Sequence, residues 1–133
     1  MSGSESTPGR VTEDLVVAML TVNNWALEKA WGLLPELTSL ELCDAQCLSI
    51  LSHEEIFARL KRAGYAKSDY VVGLLADRMR EMAKVMTATS PERLTELMES
   101  GNEKDRDRFL LSLKGVGPAV LETFVALQAR ERG

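Results

Sequence analysis

The stretch that decides the fold is LLSLKGVGPAVLETFVAL, which spans residues 110–127. Apolar residues recur at three-or-four spacing on both sides of the segment KGVGP, a pattern that predicts two helices joined by a short turn. Gly115 and Gly117 can adopt positive φ without the steric penalty of a Cβ atom. Pro118 suits the first turn of the second helix, where its missing N–H costs nothing. We therefore expect a tight helical hairpin in this part of the chain.

The predicted turn has the features of an anion site. Backbone N–H groups at the start of a helix lack partners, and the positive end of the helix dipole lies beside them. The simpler interpretation is a glycine turn between two core helices that binds nothing, but two glycines and a lysine are more than such a turn needs. The residues predicted to form the site are Leu113, Lys114, Gly115, Val116, Gly117 and Pro118.

The composition indicates an ordinary globular protein of the all-α class. A chain of 133 residues has the length of one domain and can bury a real core. Aromatic residues make up only 5% of it, while Leu, Ala and Met are abundant, which favours helices over sheets. We expect a compact multi-helix domain over residues 11–133, preceded by a disordered leader of Ser, Gly and Pro at residues 1–10.

The net charge of −4 argues against binding nucleic acid through bulk electrostatics. Any positive surface must instead be local, because acidic residues are interleaved with the basic ones around the predicted hairpin. The basic residues concerned are Lys104, Arg106, Arg108, Lys114, Arg130 and Arg132. The expected affinity for nucleic acid is therefore modest and strongly dependent on salt.

Cysteine and histidine usage limits the possible metal centres. Cys43 and Cys47 stand four residues apart in an apolar segment, which predicts two buried thiols on one helix face. Two cysteines cannot hold an iron–sulfur cluster, and His53 is the only histidine that could complete a zinc site. The sequence contains no signal peptide and no apolar run of membrane length. We expect a cytoplasmic protein without a membrane partner, associated with the nucleoid if it is bacterial or archaeal.

Caps and apolar periodicity predict further helices before the hairpin. The first predicted helix is capped by Thr12, and the second follows Asn24 and runs to Pro35. A third helix is predicted over the apolar segment 40–51, and a fourth follows the capping box Ser52-His-Glu-Glu55 and ends at Gly64. A long helix then begins at Tyr70 and carries the methionines that follow it, and the last helix before the hairpin begins at Ser90-Pro91.

The segment LKGVG at residues 113–117 resembles the helix-hairpin-helix motif of DNA-binding proteins, in which an apolar residue and a spacer precede Gly-Val-Gly. The whole order of segments is similar to that of the endonuclease III, or helix-hairpin-helix DNA glycosylase, superfamily. Three stretches carry the likeness, namely MLTVNNWALEKA at 19–30, LKRAGY at 60–65 and LLSLKG at 110–115. They look most like the endonuclease III-related and 3-methyladenine glycosylase branch, which acts in base-excision repair.

The resemblance implies a particular way of binding double-stranded DNA. The carbonyls of Leu111, Leu113 and Val116 would hold a monovalent cation, K⁺ or Na⁺, that bridges to a DNA phosphate. The amides of Gly115 and Gly117 would meet the same backbone. No other cofactor is implied for this chain.

The resemblance also implies base flipping, in which the damaged base leaves the duplex for a pocket between two helical subdomains. Asn23 or Asn24 falls where the family places a polar residue that fills the gap left by the flipped base. This loop is shorter here than in the family.

Two departures from the family pattern affect the chemistry. Bifunctional members carry a lysine nucleophile two residues past the second hairpin glycine, where this chain has Ala119. A methyl group cannot form a Schiff base, so lyase chemistry is excluded. Monofunctional members use an aspartate further along, and this chain ends at Gly133 before that position. Glu122, three residues beyond Ala119 on the same helical face, is the one candidate for a substitute acid.

Three functions follow from this pattern. The first is a DNA-binding module of the repair-glycosylase superfamily that reads the backbone without lyase activity. The second is an active monofunctional glycosylase, with Glu122 or a partner subunit completing the pocket. The third is a helical protein-interaction domain, in which self-association or a partner protein covers the face where the missing last helices would pack.

Overall fold

The computed structural model of the chain describes residues 8–21, 26–99 and 101–129. These ranges are all-helical, which confirms the predicted class. The helices are α1 (Pro8–Leu20), α2 (Leu27–Gly32), α3 (Leu34–Ser39), α4 (Ala45–Ile50), α5 (His53–Ala63), α6 (Asp69–Ala88), α7 (Pro91–Leu97), α8 (Glu103–Leu111) and α9 (Pro118–Gln128).

Helices α5 and α7 begin where local capping signals predict, and α6 begins at Asp69, one residue before the predicted Tyr70. The Ser52 hydroxyl accepts a hydrogen bond from the Glu55 amide, and the Glu55 carboxylate accepts one from the Ser52 amide, which completes the predicted capping box. Helix α5 then ends at Gly64, whose φ of 104° lies in the left-handed region that glycine adopts easily. Ser68 and Ser90 cap the next two helices in the same way.

The core forms around two long apolar elements. Helix α6 carries buried residues at three-or-four spacing along its whole length, and α4 and α5 pack against it. Helix α1 is buried almost all round from Leu15 to Leu20 and packs mainly against α9. Helix α9, near the C-terminus, is thereby held against α1, near the N-terminus.

A buried polar group joins α1 to the last turn of α9. The Arg10 side chain donates hydrogen bonds from Nη2 to the carbonyls of Leu127 and Gln128, at 3.4 and 3.1 Å. The fully buried Asp14 lies 3.6 Å from Arg10 Nε and accepts a hydrogen bond from the Gln128 side chain. These contacts satisfy carbonyls that a helix end otherwise leaves without donors.

The start of the first helix differs from the prediction. Thr12 does not cap α1, because the helix already begins at Pro8 and Thr12 is buried inside it. Arg10, which was assigned to the disordered leader, is instead part of the helix and of its contact with α9. A tertiary contact decides this boundary, so local capping signals could not find it. The rest of the predicted leader, residues 1–7, lies outside the described residues.

The helix predicted to run to Pro35 is two helices. Helix α2 ends at Gly32, and α3 begins at Leu34 with Pro35 in its first turn. Proline lacks an amide hydrogen and its ring excludes the carbonyl four residues earlier, so a continuous helix cannot pass through it. Helix α2 has Ala26 at its N-cap position, and the predicted cap Asn24 lies outside the described residues.

The helix predicted over residues 40–51 is shorter than expected. Its cap is Asp44, whose carboxylate accepts hydrogen bonds from the amides of Gln46 and Cys47. Cys43 therefore lies in the turn before α4, and the two cysteines do not share a helix face. Both thiols are free; that of Cys43 is buried and that of Cys47 is half-buried. In the ranges described, no helix combines the length and apolarity needed to cross a membrane.

Candidate functional site

The segment between α8 and α9 forms the short turn that the sequence predicts. Helix α8 ends at Leu111, the Leu113 carbonyl accepts a hydrogen bond from the Val116 amide at 3.1 Å, and Pro118 opens α9. The side chains of Leu113 and Val116 are buried and anchor the turn in the core. Lys114 and Pro118 are exposed, and Gly115 and Gly117 are half-buried.

The two glycines of the turn have different backbone conformations. Gly115 has a φ of 86°, which L residues with a Cβ atom rarely adopt. Gly117 has φ −103° and ψ −174°, an extended conformation open to any residue. The freedom predicted for both glycines is therefore used only at Gly115.

Their surroundings differ as well. A Cβ atom at Gly115 would lie 2.7 Å from Cδ and 2.9 Å from Cβ of Arg78 on α6, so glycine lets the turn dock on that helix. A Cβ atom at Gly117 would meet nothing within 4 Å. The fold thus explains glycine at position 115 and leaves glycine at 117 without a structural requirement.

Hydrogen-bond donors are left over at this surface. The amides of Gly115 and Gly117 donate no hydrogen bond to the part of the chain that the structure describes. Gly117 is also the N-cap residue of α9 and has no side chain with which to cap it, although its carbonyl accepts from the Leu121 amide at 2.9 Å. The turn therefore presents open donors at the positive end of an 11-residue helix.

The lysine of the turn is paired with a residue that sequence reasoning missed. Lys114 Nζ lies 3.1 Å from Oδ2 of Asp77 on α6. The hydrogen bond from Lys114 holds the pKa of the Asp77 carboxyl below its usual value. Burial opposes this effect, and electrostatic interactions with Lys114, His53 and Arg80 add to it. The partners are 37 residues apart in sequence, so no local pattern reveals the pair.

Arg78 is a second cationic residue beside the turn. Its aliphatic stem lies under Gly115, and its Nε atom is shielded from solvent without a hydrogen-bond partner among the described residues. The structure shows no carboxylate paired with Arg78 in those residues. A signal for it was present in the sequence, because an arginine interrupts the apolar stripe of α6.

Most of the other predicted positive charge is offset within α8. Arg106 Nε lies 3.0 Å from Asp107, and Arg108 lies 3.6 Å from Asp105. Arg130 and Arg132 are outside the described residues. Lys104 is exposed near the start of α8. At the turn itself, the described positive groups are Lys114, which is paired with Asp77, Arg78 and the N-terminal end of α9.

The carbonyls predicted to hold a monovalent cation flank the same turn. Those of Leu111 and Val116 accept no hydrogen bond from the described residues, and that of Leu113 accepts one. Carbonyl oxygens can replace the hydration shell of K⁺. The donor set is thus compatible with the predicted cation, which stays a prediction.

The remaining candidate residues lie on α9 or outside the described residues. Ala119 and Glu122 are exposed on α9. Asn23 and Asn24, predicted to fill the gap of a flipped base, lie outside the described residues.

A cavity of about 520 Å³ among the described residues lies elsewhere in the fold. It is bordered by α1, the segment from α3 to α4 and the junction of α6 with α7, and neither Glu122 nor any residue of the turn lines it. Cys43 does line it, but burial raises the pKa of that thiol to about 12, so it is not a nucleophile at neutral pH. In the described ranges no three His, Cys, Asp or Glu residues are grouped to hold a metal ion.

Comparison with known proteins gives no match: no family model matches the sequence, and no curated protein or solved structure matches the chain.

Proposed function

We propose that this protein binds the backbone of double-stranded DNA through the turn between α8 and α9, as a helix-hairpin-helix module of the repair-glycosylase type without lyase activity. The observation that carries the proposal is Gly117. Neither its conformation nor its surroundings require glycine, as is also true of Gly32, but Gly117 stands at the start of α9 with an amide that has no partner in the described chain. Close approach of a ligand to bare backbone is the general reason for such a glycine.

A phosphate group fits the donors at this place. The amides of Gly115 and Gly117 have no partner in the described chain, and the dipole of α9 favours an anion beside them. Lys114 and Arg78 supply the full charges that a phosphate attracts. Amides and these cations contact phosphates rather than base edges, so binding would be independent of sequence.

Other features favour binding over catalysis. Ala119 stands where bifunctional glycosylases carry the lysine nucleophile, and Glu122 is exposed and lines no described cavity. A general acid with a raised pKa normally lies in a cleft that holds the substrate. Under this proposal the protein binds the DNA backbone and cleaves neither the glycosidic bond nor the backbone.

A protein-interaction domain is less well supported by the surface. Among the described residues, the large exposed apolar side chains are Ile50 on α4, Tyr70 and Val85 at opposite ends of α6, and Leu111 at the end of α8. Single exposed apolar residues are common on monomeric proteins, whereas an interaction site needs a contiguous patch. No such patch is identified among these four residues, so the DNA-binding proposal is preferred.

The test is a salt titration of binding to a fluorescently labelled duplex that contains an abasic-site analogue. We compare the native protein with Gly117→Val, which adds a side chain at the open position, and with Gly32→Val as the control. Gly32 is likewise open, with nothing within 4 Å of a Cβ atom, and it lies on α2. Gly117→Val should fold because the extended backbone at 117 suits valine. Gly32→Val should fold because a Cβ atom at that position meets no other atom within 4 Å.

We expect the native protein and Gly32→Val to bind with equal affinity, and Gly117→Val to lose about tenfold or more, since one good charge-assisted contact is worth this much. The logarithm of the binding constant should fall linearly with that of salt, by about 0.9 for each phosphate neutralised. Absence of binding at low salt, or equal binding by both variants, would overturn the proposal.

A panel of duplexes with alkylated, deaminated and oxidised bases tests whether chemistry is present. The proposal predicts that no base is released from any of them. Release that disappears in Glu122→Gln would instead identify the chain as an active glycosylase with a substituted acid.

A further inference from the structure

The charge of Lys114 is not free in the protein without DNA. Its ammonium group lies 3.1 Å from Asp77, on a helix that is remote in sequence from the turn. The Lys114 side chain is 59% exposed and the Asp77 side chain 47%, and ion pairs this exposed contribute little to stability. The pair is therefore easily exchanged, and the fold does not depend on it.

Asp77 also lies close to where the proposed phosphate would bind. It precedes Arg78, whose stem lies against Gly115, so adjacent residues of α6 supply a carboxylate that contacts Lys114 and a side chain that contacts the turn. His53 and Arg80 are the other charged or titratable groups that act on Asp77. A phosphate that reaches Lys114 must replace this carboxylate as its partner and then remain near it.

We propose that Asp77 is a built-in competitor for the DNA phosphate at Lys114. In the free protein Asp77 pairs with Lys114. When DNA binds, the phosphate replaces Asp77 as the partner of Lys114, and the Asp77 carboxylate then repels that phosphate. Asp77 thereby raises the number of contacts with the DNA backbone that are needed for stable binding. This inference rests on the proposed function and assigns the residue that restrains it.

The consequence is selectivity by geometry. A phosphate that meets Lys114 alone gains a weak, solvent-exposed contact and loses an equivalent one, so the exchange is close to neutral. A phosphate that also reaches the amides of Gly115 and Gly117 adds hydrogen bonds with no competitor. Binding is then favoured only where the DNA backbone fits the whole turn.

The test compares Asp77→Asn with a matched charge change elsewhere. Glu96 on α7 forms an exposed ion pair with Arg93, with side-chain exposures of 56% and 52%, so Glu96→Gln removes the same charge from the same kind of pair. Affinity for the labelled duplex is measured for both variants over a range of salt concentrations. Thermal unfolding confirms that each variant is folded.

We expect Asp77→Asn to tighten binding roughly three- to tenfold at low salt, because a like charge within a few ångströms of the phosphate is removed. The gain should shrink as salt rises. Glu96→Gln should change affinity by about twofold or less, since distant exposed charges are screened. Equal gains in the two variants would overturn the proposal, because only net charge would then matter.

A double-mutant cycle with Lys114→Met separates competition from simple repulsion. If Asp77 acts by occupying the lysine, most of the gain from Asp77→Asn should vanish once Lys114 is gone. A gain that is unchanged in the Lys114→Met background would show that Asp77 merely repels DNA, and the competitor role would be wrong.

The outcomes at Gly117 keep the two proposals distinguishable. If binding is absent or insensitive to Gly117→Val, the proposed function fails and the role of Asp77 fails with it. If binding depends on Gly117 while Asp77→Asn behaves like Glu96→Gln, the DNA-binding function stands and only the competitor is rejected.

Discussion

The two ends of α9 are built in opposite ways. At the C-terminal end, Arg10 donates a hydrogen bond to the Gln128 carbonyl, and the Gln128 side chain donates one to the buried Asp14. Leu127 is packed in the core. At the N-terminal end, Gly117 offers no cap, and its amide has no partner in the described chain. One helix thus carries a stability site and an open surface about 16 Å apart, at 1.5 Å per residue. The contrast suggests that binding can change at one end without loss of the fold at the other.

The largest effect should follow from breaking the buried end. Asp14→Ala removes the buried carboxylate that lies 3.6 Å from Arg10 Nε and accepts a hydrogen bond from the Gln128 side chain. Loss of one member of a buried ion pair costs about 3–5 kcal/mol. Urea denaturation should show this loss in the free energy of unfolding.

The control for Asp14→Ala is Asp105→Ala, which breaks an exposed pair with Arg108 on α8. We expect that change to stay within about 0.5 kcal/mol. Similar losses in the two variants would mean that the junction between α1 and α9 does not hold the hairpin in place.

The next effect should separate the two glycines of the turn. Gly115→Ala forces a residue with a Cβ atom into a left-handed conformation and against Arg78, and should cost about 2–3 kcal/mol. Gly117→Ala meets neither problem and should stay within about 0.5 kcal/mol. Thermal and urea unfolding of both variants provide the measurement.

A second substitution sharpens the result at Gly115. Arg78→Ala removes the Cγ and Cδ atoms that an added Cβ would contact, so the cost of Gly115→Ala should fall in that background. The conformational part and the close contact with the Cβ atom of residue 78 should persist. Equal costs at positions 115 and 117 would contradict the distinction between a structural and a functional glycine. For the same reason, a binding defect in a Gly115 variant cannot be assigned to phosphate contact.

Local signals in the sequence predicted those parts of the fold whose causes lie within a few residues. The capping box at Ser52, the stop at Gly64 and the cap at Ser90 are of this kind, because each involves groups no more than about one helical turn apart. The hairpin turn was also found, since Leu113 and Val116 carry its inward pattern in the sequence itself.

Features with distant causes were missed. The early start of α1 depends on Arg10 meeting the end of α9, and the pairing of Lys114 with Asp77 depends on how the turn docks on α6. The different roles of Gly115 and Gly117 have the same origin, because only the docked structure shows that Arg78 fills the space beside one and not the other. Sequence proximity contains none of this information.

A smaller effect, on binding alone, is expected from Arg78→Met. Methionine keeps an apolar stem under Gly115 but removes the charge, so stability should change little. Affinity for duplex DNA should fall roughly fivefold, and the salt slope should lose about 0.9, if Arg78 neutralises one phosphate. Arg93→Met, which removes an equal charge from α7, is the control and should leave the slope unchanged. An unchanged slope in Arg78→Met would exclude Arg78 from the site.

The smallest effect concerns the pKa of Asp77 and reports directly on the open end of α9. In the folded protein Lys114 lowers this pKa, so the stabilisation from the ionised carboxylate is present above the unfolded-state pKa and is lost as pH falls through the folded one. Lys114→Met should raise the pKa towards its ordinary value, with His53 and Arg80 still acting to lower it. Carboxyl-carbon NMR shifts followed against pH measure the change. Adding duplex DNA to the native protein should raise the same pKa, because the phosphate replaces Asp77 as the partner of Lys114. If neither Lys114→Met nor DNA changes the pKa of Asp77, the ion pair has no electrostatic link to the turn.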